Sequence, residues 1–270
     1  MPLYPEQYLT LETPKGKGCS RSPKIIQRLV VQLKPFAEGF GGTTNGDNMR
    51  LRANHPALEH AVTIHPKTVK PLTDYTSRLL KPASGNAKLG AGSNLITKGK
   101  WSGMPLYTLT LEERSTCSRT CQQWARCFGN NMGFAHRVDS SEPELLEMIL
   151  NDELDYLARK HPQGFVVRLH VLGDFYSTDY VDFWANALRA YPALHVFGYT
   201  HRTDGPIADA IADNLQTERA WIRWSDKGGE MSANVMGEGI TCPEQTGKTS
   251  SCLTCGLCWT TTKAIAFIEH

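Results

Sequence analysis

The chain has 270 residues, 40% of them hydrophobic, which is enough for one large domain or two modest ones. Its formal net charge of +2 at pH 7 argues neither for nor against nucleic acid as a partner. No apolar run approaches the roughly 20 residues of a membrane-spanning helix, and the first residues lack the pattern of a secretory signal. We therefore expect a cytoplasmic protein without a membrane partner, whose eight cysteines are reduced and bind metal rather than form disulfides.

The first hundred residues are predicted to be largely irregular. Within them, Lys24–Leu33 has the composition of a regular element, either a helix or a strand. The segment Lys81–Lys100 is rich in Gly, Ser, Asn and Lys, which indicates a long connection. Its lysines could meet an anionic ligand, although a solvated loop also explains them.

A strand and a loop with three cysteines come next. Met104–Leu111 combines apolar, Tyr and Thr residues, which favour a half-buried strand. Cys117, Cys121 and Cys127 follow, in a segment that we call the three-cysteine loop (112–128). Thiolates are soft ligands, and three of them on one short loop can converge on a single metal centre. The alternative is that one or more of these cysteines only packs in the core.

Helices and strands alternate from residue 141 to residue 226. The predicted helices begin near Ser141, Thr178 and Pro206, and the predicted strands are Phe165–Leu172, Leu194–Tyr199 and Ala220–Trp224. Short crossovers of this kind build a parallel sheet with helices outside it. In such sheets, reactive groups gather at the carboxyl ends of the strands.

Polar residues follow each of these predicted strands. Gly173 and Asp174 come after the first, His201 and Arg202 after the second, and Ser225 after the third. Asp174 could meet the amino group of a ligand, or the Gly-Asp pair could only form a turn. Arg202 could bind a carboxylate or phosphate through two hydrogen bonds, or simply pair at the surface.

The most specific pattern lies near the C-terminus, in a segment that we call the four-cysteine segment (242–258). Cys252, Cys255 and Cys258 have two residues between neighbours, which resembles the run that binds a [4Fe–4S] cluster, and Cys242 could be the fourth ligand. A structural zinc site also takes four thiolates, but its ligands usually come as two separated pairs. The triplet plus one cysteine favours iron–sulfur over zinc.

The strand, the three-cysteine loop and Gly173-Asp174 together resemble the radical S-adenosylmethionine (SAM) superfamily, over residues 104–226. The resemblance implies a partial (β/α) barrel whose first strand leads into a loop that binds a [4Fe–4S] cluster. It implies that SAM binds the open iron, with Asp174 at its amino group and Arg202 or Ser225 at its carboxylate or ribose. The four-cysteine segment is similar to the auxiliary cluster domains of some members.

Two motifs depart from that superfamily. Five residues rather than two separate the second and third cysteines of the loop, and Leu172 and Asp174 stand where Gly and Glu are usual. The segments Arg168–Ser177 and Phe197–Thr200 are more closely similar to a phage- and plasmid-associated family called gene product eighty-eight.

These inferences predict an α/β fold with mostly parallel strands in a partial (β/α) barrel, plus a cysteine-rich C-terminal cluster segment. The expected organisation is an irregular region over 1–100, the barrel with its cluster loop over 101–230, and the cluster segment over 231–270. The expected cofactors are two [4Fe–4S] clusters and SAM. The expected partners are an unknown substrate and a reductant such as ferredoxin or flavodoxin.

Two other functions remain open at this stage. If Cys19 or His136 supplies a fourth ligand to the loop cluster, the protein would be an electron-transfer protein without a substrate. Alternatively, the cysteines could stabilise a nucleic-acid-binding module with zinc. Basic residues near the loop thiols favour this second alternative: Arg114, Arg119, Arg126 and Arg137.

Overall fold

The computed structural model describes residues 49–74 and 78–269, all within one compact unit, Gly42–His270. The element predicted at Lys24–Leu33 and the side chain of Cys19 lie outside the described residues. The helices are α1 (Pro56–Glu59), α2 (Pro143–Lys160), α3 (Thr178–Ala190), α4 (Gly205–Asn214) and α5 (Cys252–Cys255). Short 3-10 helices span Pro66–Thr68, Leu72–Asp74, Ala83–Gly85, Phe128–Asn131 and Leu257–Trp259.

Most of the strands belong to one sheet. The strands are β1 (Val69–Lys70), β2 (Lys81–Pro82), β3 (Leu106–Thr108), β4 (Arg137–Val138), β5 (Phe165–Leu169), β6 (Leu194–Thr200), β7 (Gln216–Thr217), β8 (Ala220–Ser225), β9 (Ser232–Val235), β10 (Ile240–Thr241) and β11 (Ile265–Phe267). In the described part of the chain, nine of them pair in the order β10-β11-β9-β8-β6-β5-β3-β2, with β7 beside β8. The neighbours from β10 to β3 are parallel, whereas β2 and β7 pair antiparallel. The predicted mixed α/β fold with a mostly parallel sheet is therefore confirmed.

The two faces of the sheet have different coverings, because successive strand residues point to opposite sides. Phe165 and Val167 of β5 pack with the buried residues of α2, α3 and α4. Val166, between them, packs on the other face with Leu253 and Trp259 of the four-cysteine segment. The helices thus cover one face, and the four-cysteine segment covers part of the other.

The helices form where apolar spacing and capping agree. Four leucines at helical spacing are fully buried along α2: Leu146, Leu150, Leu154 and Leu157. This helix begins at Pro143, two residues after the predicted start near Ser141, and Glu142 before it provides no side-chain cap. α3 begins at Thr178, as predicted, and Ser177 caps it, since the Ser177 hydroxyl accepts a hydrogen bond from the Tyr180 N–H.

The C-terminal strands continue the main sheet. β9 pairs with β8, and β11 joins β9 to β10, so the chain on either side of the four-cysteine segment is hydrogen-bonded to the same framework. Among the helices that the structure describes, none combines the length and the apolar character needed to cross a membrane.

Candidate functional site

The three-cysteine loop packs against the end of β5 through Gly173. A Cβ atom at this position, where φ is +88°, would lie 2.7 Å from both the Leu111 Cβ and the Thr116 Oγ1. The Asp174 N–H donates to the Thr116 hydroxyl at 3.2 Å, and that hydroxyl donates to the Glu112 carbonyl at 2.8 Å. Glycine is therefore required here because φ is positive and the side-chain atoms of Leu111 and Thr116 approach so closely.

Asp174 joins the ends of two neighbouring strands. Its Oδ1 accepts from the Phe175 N–H at 2.7 Å, and its Oδ2 accepts from the His201 N–H at 2.9 Å. Burial raises the pKa of Asp174, and these hydrogen bonds, together with one from the Thr200 side chain, oppose the effect by stabilising the carboxylate. Each carboxylate oxygen has a second lone pair. The residue therefore fixes β5 to β6, and a ligand would have to compete for its remaining acceptor capacity.

Residues after β6 hold the three-cysteine loop on both sides of Cys117. The Arg202 Nε donates to the Phe175 carbonyl, and one of its terminal nitrogens donates to the Thr116 carbonyl, both at 2.8 Å. The His201 Nε2 lies 3.1 Å from the Thr120 carbonyl. Arg202 and His201 therefore position the loop, and at least two of the Arg202 donors are already used.

The three loop thiols are half-buried and close enough to affect one another. Burial raises the pKa of Cys117, with smaller contributions from the charges of Asp174, Cys127 and Cys121. Burial also raises the pKa of Cys121 to about 11, to which Cys127, Asp174 and Asp226 add. Thiols of this kind are protonated at neutral pH, so metal binding must release their protons.

The sequence places Ser225 and Asp226 together after the third predicted strand, and the resemblance assigns only Ser225 to the site. Ser225 is the last residue of β8 and is half-buried. Asp226 is the residue whose charge reaches Cys121, and its Oδ1 accepts from the Val235 N–H at 3.1 Å. A carboxylate directly after a strand end was a visible signal in the sequence, but which of two adjacent side chains points to the loop depends on the turn.

A buried ionic network anchors the same loop from the other side. The side chains of Glu113 and Arg137 are at most 1% exposed, and two guanidinium nitrogens of Arg137 reach the two carboxylate oxygens, at 2.5 and 3.1 Å. Glu113 also accepts from the Thr63 hydroxyl at 2.6 Å. Arg114 donates to the Asn130 side chain and to the Trp124 carbonyl. The network ties both ends of the loop to the segment around residue 63.

The second group of cysteines surrounds one small cavity. Its lining residues include Cys242, Cys252, Cys255 and Cys258 together with Trp259, and all four cysteines are free. Gly256 allows the tight path between the last two thiols, since a Cβ atom there would lie 2.7 Å from the Lys98 carbonyl, with φ at +68°. The structure thus brings together the four cysteines that the sequence grouped.

Cationic and phenolic groups of the sheet lie beneath this cavity. Burial raises the pKa of Cys258, which a hydrogen bond with Tyr199 and the charge of Arg223 oppose. Arg223 is fully buried, and its guanidinium donates to backbone carbonyls including that of Cys258, at 2.9 Å. Burial also raises the pKa of Cys252 to about 12, opposed by the charge of Arg168. These cations would offset the negative charge of thiolates held in the cavity.

The donor set fits a thiolate-bound metal cluster in its chemistry. Seven free cysteines, and no disulfide-bonded ones, occur in the described residues, in two groups of three and four. Within residues 49–74 and 78–269, no three or more His, Cys, Asp or Glu side chains are arranged around one metal ion. In a cluster, each thiolate binds a different iron, so cluster ligands need not surround a single point. His136, the alternative ligand, is exposed.

A comparison with known proteins identifies the family of the chain. No curated protein and no solved structure matches it. A family model described as gene product 88 matches residues 78–225, more than half of the chain. The match includes the three-cysteine loop and the strand ends that hold it, and it ends before the four-cysteine segment. The chain belongs to the gene product 88 family.

Proposed function

We propose that the protein is an iron–sulfur protein with two [4Fe–4S] clusters, one in the three-cysteine loop and one in the four-cysteine segment. The observation that carries this proposal is that Cys242 and the three cysteines of the 252–258 run line one cavity. Four cysteines placed together without a disulfide are typical of metal or cluster ligation. The three loop thiols, held at the carboxyl ends of parallel strands, form the second donor set.

We further propose that the three-cysteine loop belongs to a radical SAM-type enzyme acting on an unknown substrate. A cluster with three thiolate ligands keeps one iron open, and when bound with SAM it supplies one-electron chemistry that generates a radical. The chain itself contributes the position of the loop, through Asp174, His201 and Arg202. The remaining lone pairs of Asp174 could accept the SAM ammonium, and Ser225 lies at the next strand end.

The architecture is compatible with this activity. Parallel strands β3, β5, β6 and β8 end at the same edge, and the three-cysteine loop follows the first of them. The superfamily resemblance implies a partial (β/α) barrel. An open sheet with this strand order would form such a barrel if the sheet were curved. A reductant such as ferredoxin or flavodoxin would then be the electron source.

The zinc-stabilised nucleic-acid module receives less support than electron transfer as an alternative. Arg114 and Arg137 are buried in the network with Glu113, so they cannot meet phosphates. Arg126 pairs with Glu269 at the surface, and Arg119 lies over Trp124. The arginines near the thiols therefore have roles within the fold. Electron transfer without a substrate remains the alternative that a closed loop cluster would require.

Metal analysis of anaerobically purified protein tests the proposal directly. We expect iron and sulfide for two cubane clusters, about eight iron atoms per chain. Adding SAM to the reduced protein should change the electron paramagnetic resonance signal of the loop cluster. Stoichiometric zinc without sulfide would end the iron–sulfur proposal. Reversible reduction of two clusters with no effect of SAM would leave the electron-transfer function instead.

Replacing Asp174 separates its two roles. We expect Asp174→Asn to weaken SAM binding about ten-fold, because a charge-assisted hydrogen bond contributes roughly 1.5–3 kcal/mol. In this variant the side-chain NH2 group would face one of the two backbone N–H groups that now donate to Asp174, so two donors would oppose each other. This loss should lower the free energy of unfolding by about 1–3 kcal/mol. Equilibrium dialysis and urea unfolding measure the two effects. Glu153→Gln is the matched control, since the Glu153 carboxylate also accepts two backbone N–H groups, those of Leu79 and Leu80, but lies on α2 and not at a strand end; equal SAM binding by both variants would exclude Asp174 as a SAM ligand.

A further inference from the structure

An open cleft of about 650 Å³ lies at the amino ends of the strands, at the end of the sheet opposite the three-cysteine loop. His195 and Trp221, the second residues of β6 and β8, form part of its lining. The three-cysteine loop lies at the opposite, carboxyl ends of the same strands. A volume of this size is within the usual range of small-molecule sites. Nothing in the proposed iron–sulfur function uses this cleft.

Aromatic rings form its walls. Trp101 is 3% exposed and stacks on Trp259 with ring centroids 5.9 Å apart and planes at 10°. Trp101 also meets the His195 ring edge-on, at 5.4 Å. Trp221, which is half-buried, presents a ring face on which Lys100 now lies, with its ammonium 3.7 Å from the ring centroid. The wall is therefore made of packed aromatic rings, and the Trp221 face is covered by the Lys100 side chain.

Cationic groups are placed beside these rings. The Lys100 ammonium donates to the Glu218 carbonyl at 3.1 Å, which leaves donors for an anion. Arg219 is fixed by bonds from its guanidinium to backbone carbonyls, among them those of Leu188 at 2.7 Å and Leu194 at 3.1 Å. Its charge stays at the cleft, and it offsets the carboxylate of Glu218 in the same lining.

A polar acceptor completes the lining. The His195 Nδ1 lies 3.1 Å from the Ala193 carbonyl, so this nitrogen carries the proton of the neutral ring and Nε2 is the acceptor. Burial lowers the pKa of His195, which keeps the ring neutral at pH 7. An aromatic face, an adjacent flexible ammonium and a fixed acceptor match a flat base joined to a phosphate, because bases stack on aromatic side chains and cations meet the phosphate.

We propose that this cleft binds a nucleotide unit, with the base on the Trp221 ring and the phosphate at Lys100, either as a free nucleotide or within single-stranded nucleic acid. Binding moves the Lys100 side chain from the ring to the phosphate. The binding contacts are made by Lys100 and Trp221, which lie apart from the arginines around the thiols, so the proposal does not require a bound metal.

Fluorescence anisotropy with a fluorescein-labelled oligodeoxyadenylate tests the proposal on the full chain. We expect Trp221→Leu to weaken binding about ten-fold and Lys100→Gln about five-fold, the losses typical of one stacked base and one phosphate contact. Trp224→Leu is the matched aromatic control, since Trp224 also carries a lysine, Lys227, over its ring at 4.4 Å but packs on the helix-covered face. Lys98→Gln is the matched control for charge, and both controls should bind like the unmodified chain.

Competition experiments identify the source of the nucleotide. Displacement of the labelled strand by dAMP would show a free-nucleotide site. Displacement by unlabelled oligodeoxyadenylate but not by dAMP would show a strand site. Equal displacement by a duplex would overturn the stacking proposal, because paired bases cannot cover Trp221. The absence of any binding, or an equal loss in Trp221→Leu and Trp224→Leu, would also overturn it. Thermal unfolding of each variant checks that it remains folded.

The pH dependence gives a second readout. Four titratable groups line the cleft: Lys100, His195, Glu218 and Arg219. Burial lowers the pKa of Lys100 to about 8, opposed by the charge of Glu218. Binding should therefore weaken as the pH rises from about 7 to about 9, where phosphate stays ionised and His195 stays neutral. Lys100→Gln should remove this dependence, and a dependence that persists in the variant would exclude Lys100 as the phosphate contact.

Discussion

Cys255→Ala is expected to remove one cluster and to lower the melting temperature of the metal-loaded protein by roughly 10 °C. A closed four-thiolate site contributes several kcal/mol to folding, and each kcal/mol corresponds to roughly 2–4 °C in a domain of this size. The effect should be large because Leu253 and Trp259 of the four-cysteine segment pack against Val166 and Phe197 in the hydrophobic cluster on the sheet face opposite the helices. Iron and sulfide analysis together with calorimetry measure the loss.

The metal-free protein supplies the sharpest control for this variant. Cys255 is half-buried, so its thiol adds little to packing, and apo protein with and without the substitution should unfold at nearly the same temperature. Cys121→Ala should remove the loop cluster and leave the C-terminal one. If either substitution removed all iron, the two cysteine groups would form one shared site. If the apo proteins differed as much as the loaded ones, Cys255 would act through packing alone.

The alternating part of the fold was predictable because local signals agree with one another there. The buried leucines of α2 occur at helical spacing, and β5, β6 and β8 begin at the predicted residues. The predicted strand over 165–172 is longer than β5, which ends at Leu169. After that residue, Val171 and Leu172 still form hydrogen bonds with residues 109 and 111, but they are not part of a regular strand. The apolar sequence pattern predicts that the segment is buried, but it does not predict where the regular strand ends.

The grouping of the cysteines was also readable from spacing, whereas their supports were not. Glu113 and Arg137 are 24 residues apart, and the Asp174–His201 bond spans 27 residues. Such pairs depend on tertiary geometry, and a charged residue in a loop sequence is ordinarily read as exposed. The basic residues near the thiols favour a nucleic-acid partner in the sequence alone, whereas two of them, Arg114 and Arg137, are buried in the structure. The cleft lined by Trp101 and Trp221 likewise joins segments about a hundred residues apart, so no local sequence pattern predicts it.

Arg137→Met is expected to lower the free energy of unfolding by about 3–5 kcal/mol, because it removes the cation that is hydrogen-bonded to the buried Glu113 and leaves only Arg114, 4.0 Å away. The Arg137 guanidinium also donates to the carbonyls of Met132, Ala135 and Gly129, at 3.1, 2.8 and 3.0 Å. Its removal therefore frees several buried acceptors beside Cys127. We expect the loop cluster to be lost more readily to a chelator, while the C-terminal cluster is retained. Urea unfolding of apo protein and iron release from loaded protein measure the two effects.

Arg126→Met is the matched control, since Arg126 lies one residue before Cys127 but pairs with Glu269 at the surface, with both side chains more than 40% exposed. Exposed pairs contribute about 0–1 kcal/mol, so this variant should be close to the unmodified chain in stability and iron release. The double variant Glu113→Gln with Arg137→Met should be less destabilised than the sum of the single changes, because the second change removes the unpaired buried charge. Strict additivity, or equal effects of Arg126→Met and Arg137→Met, would show that the buried pair does not anchor the loop.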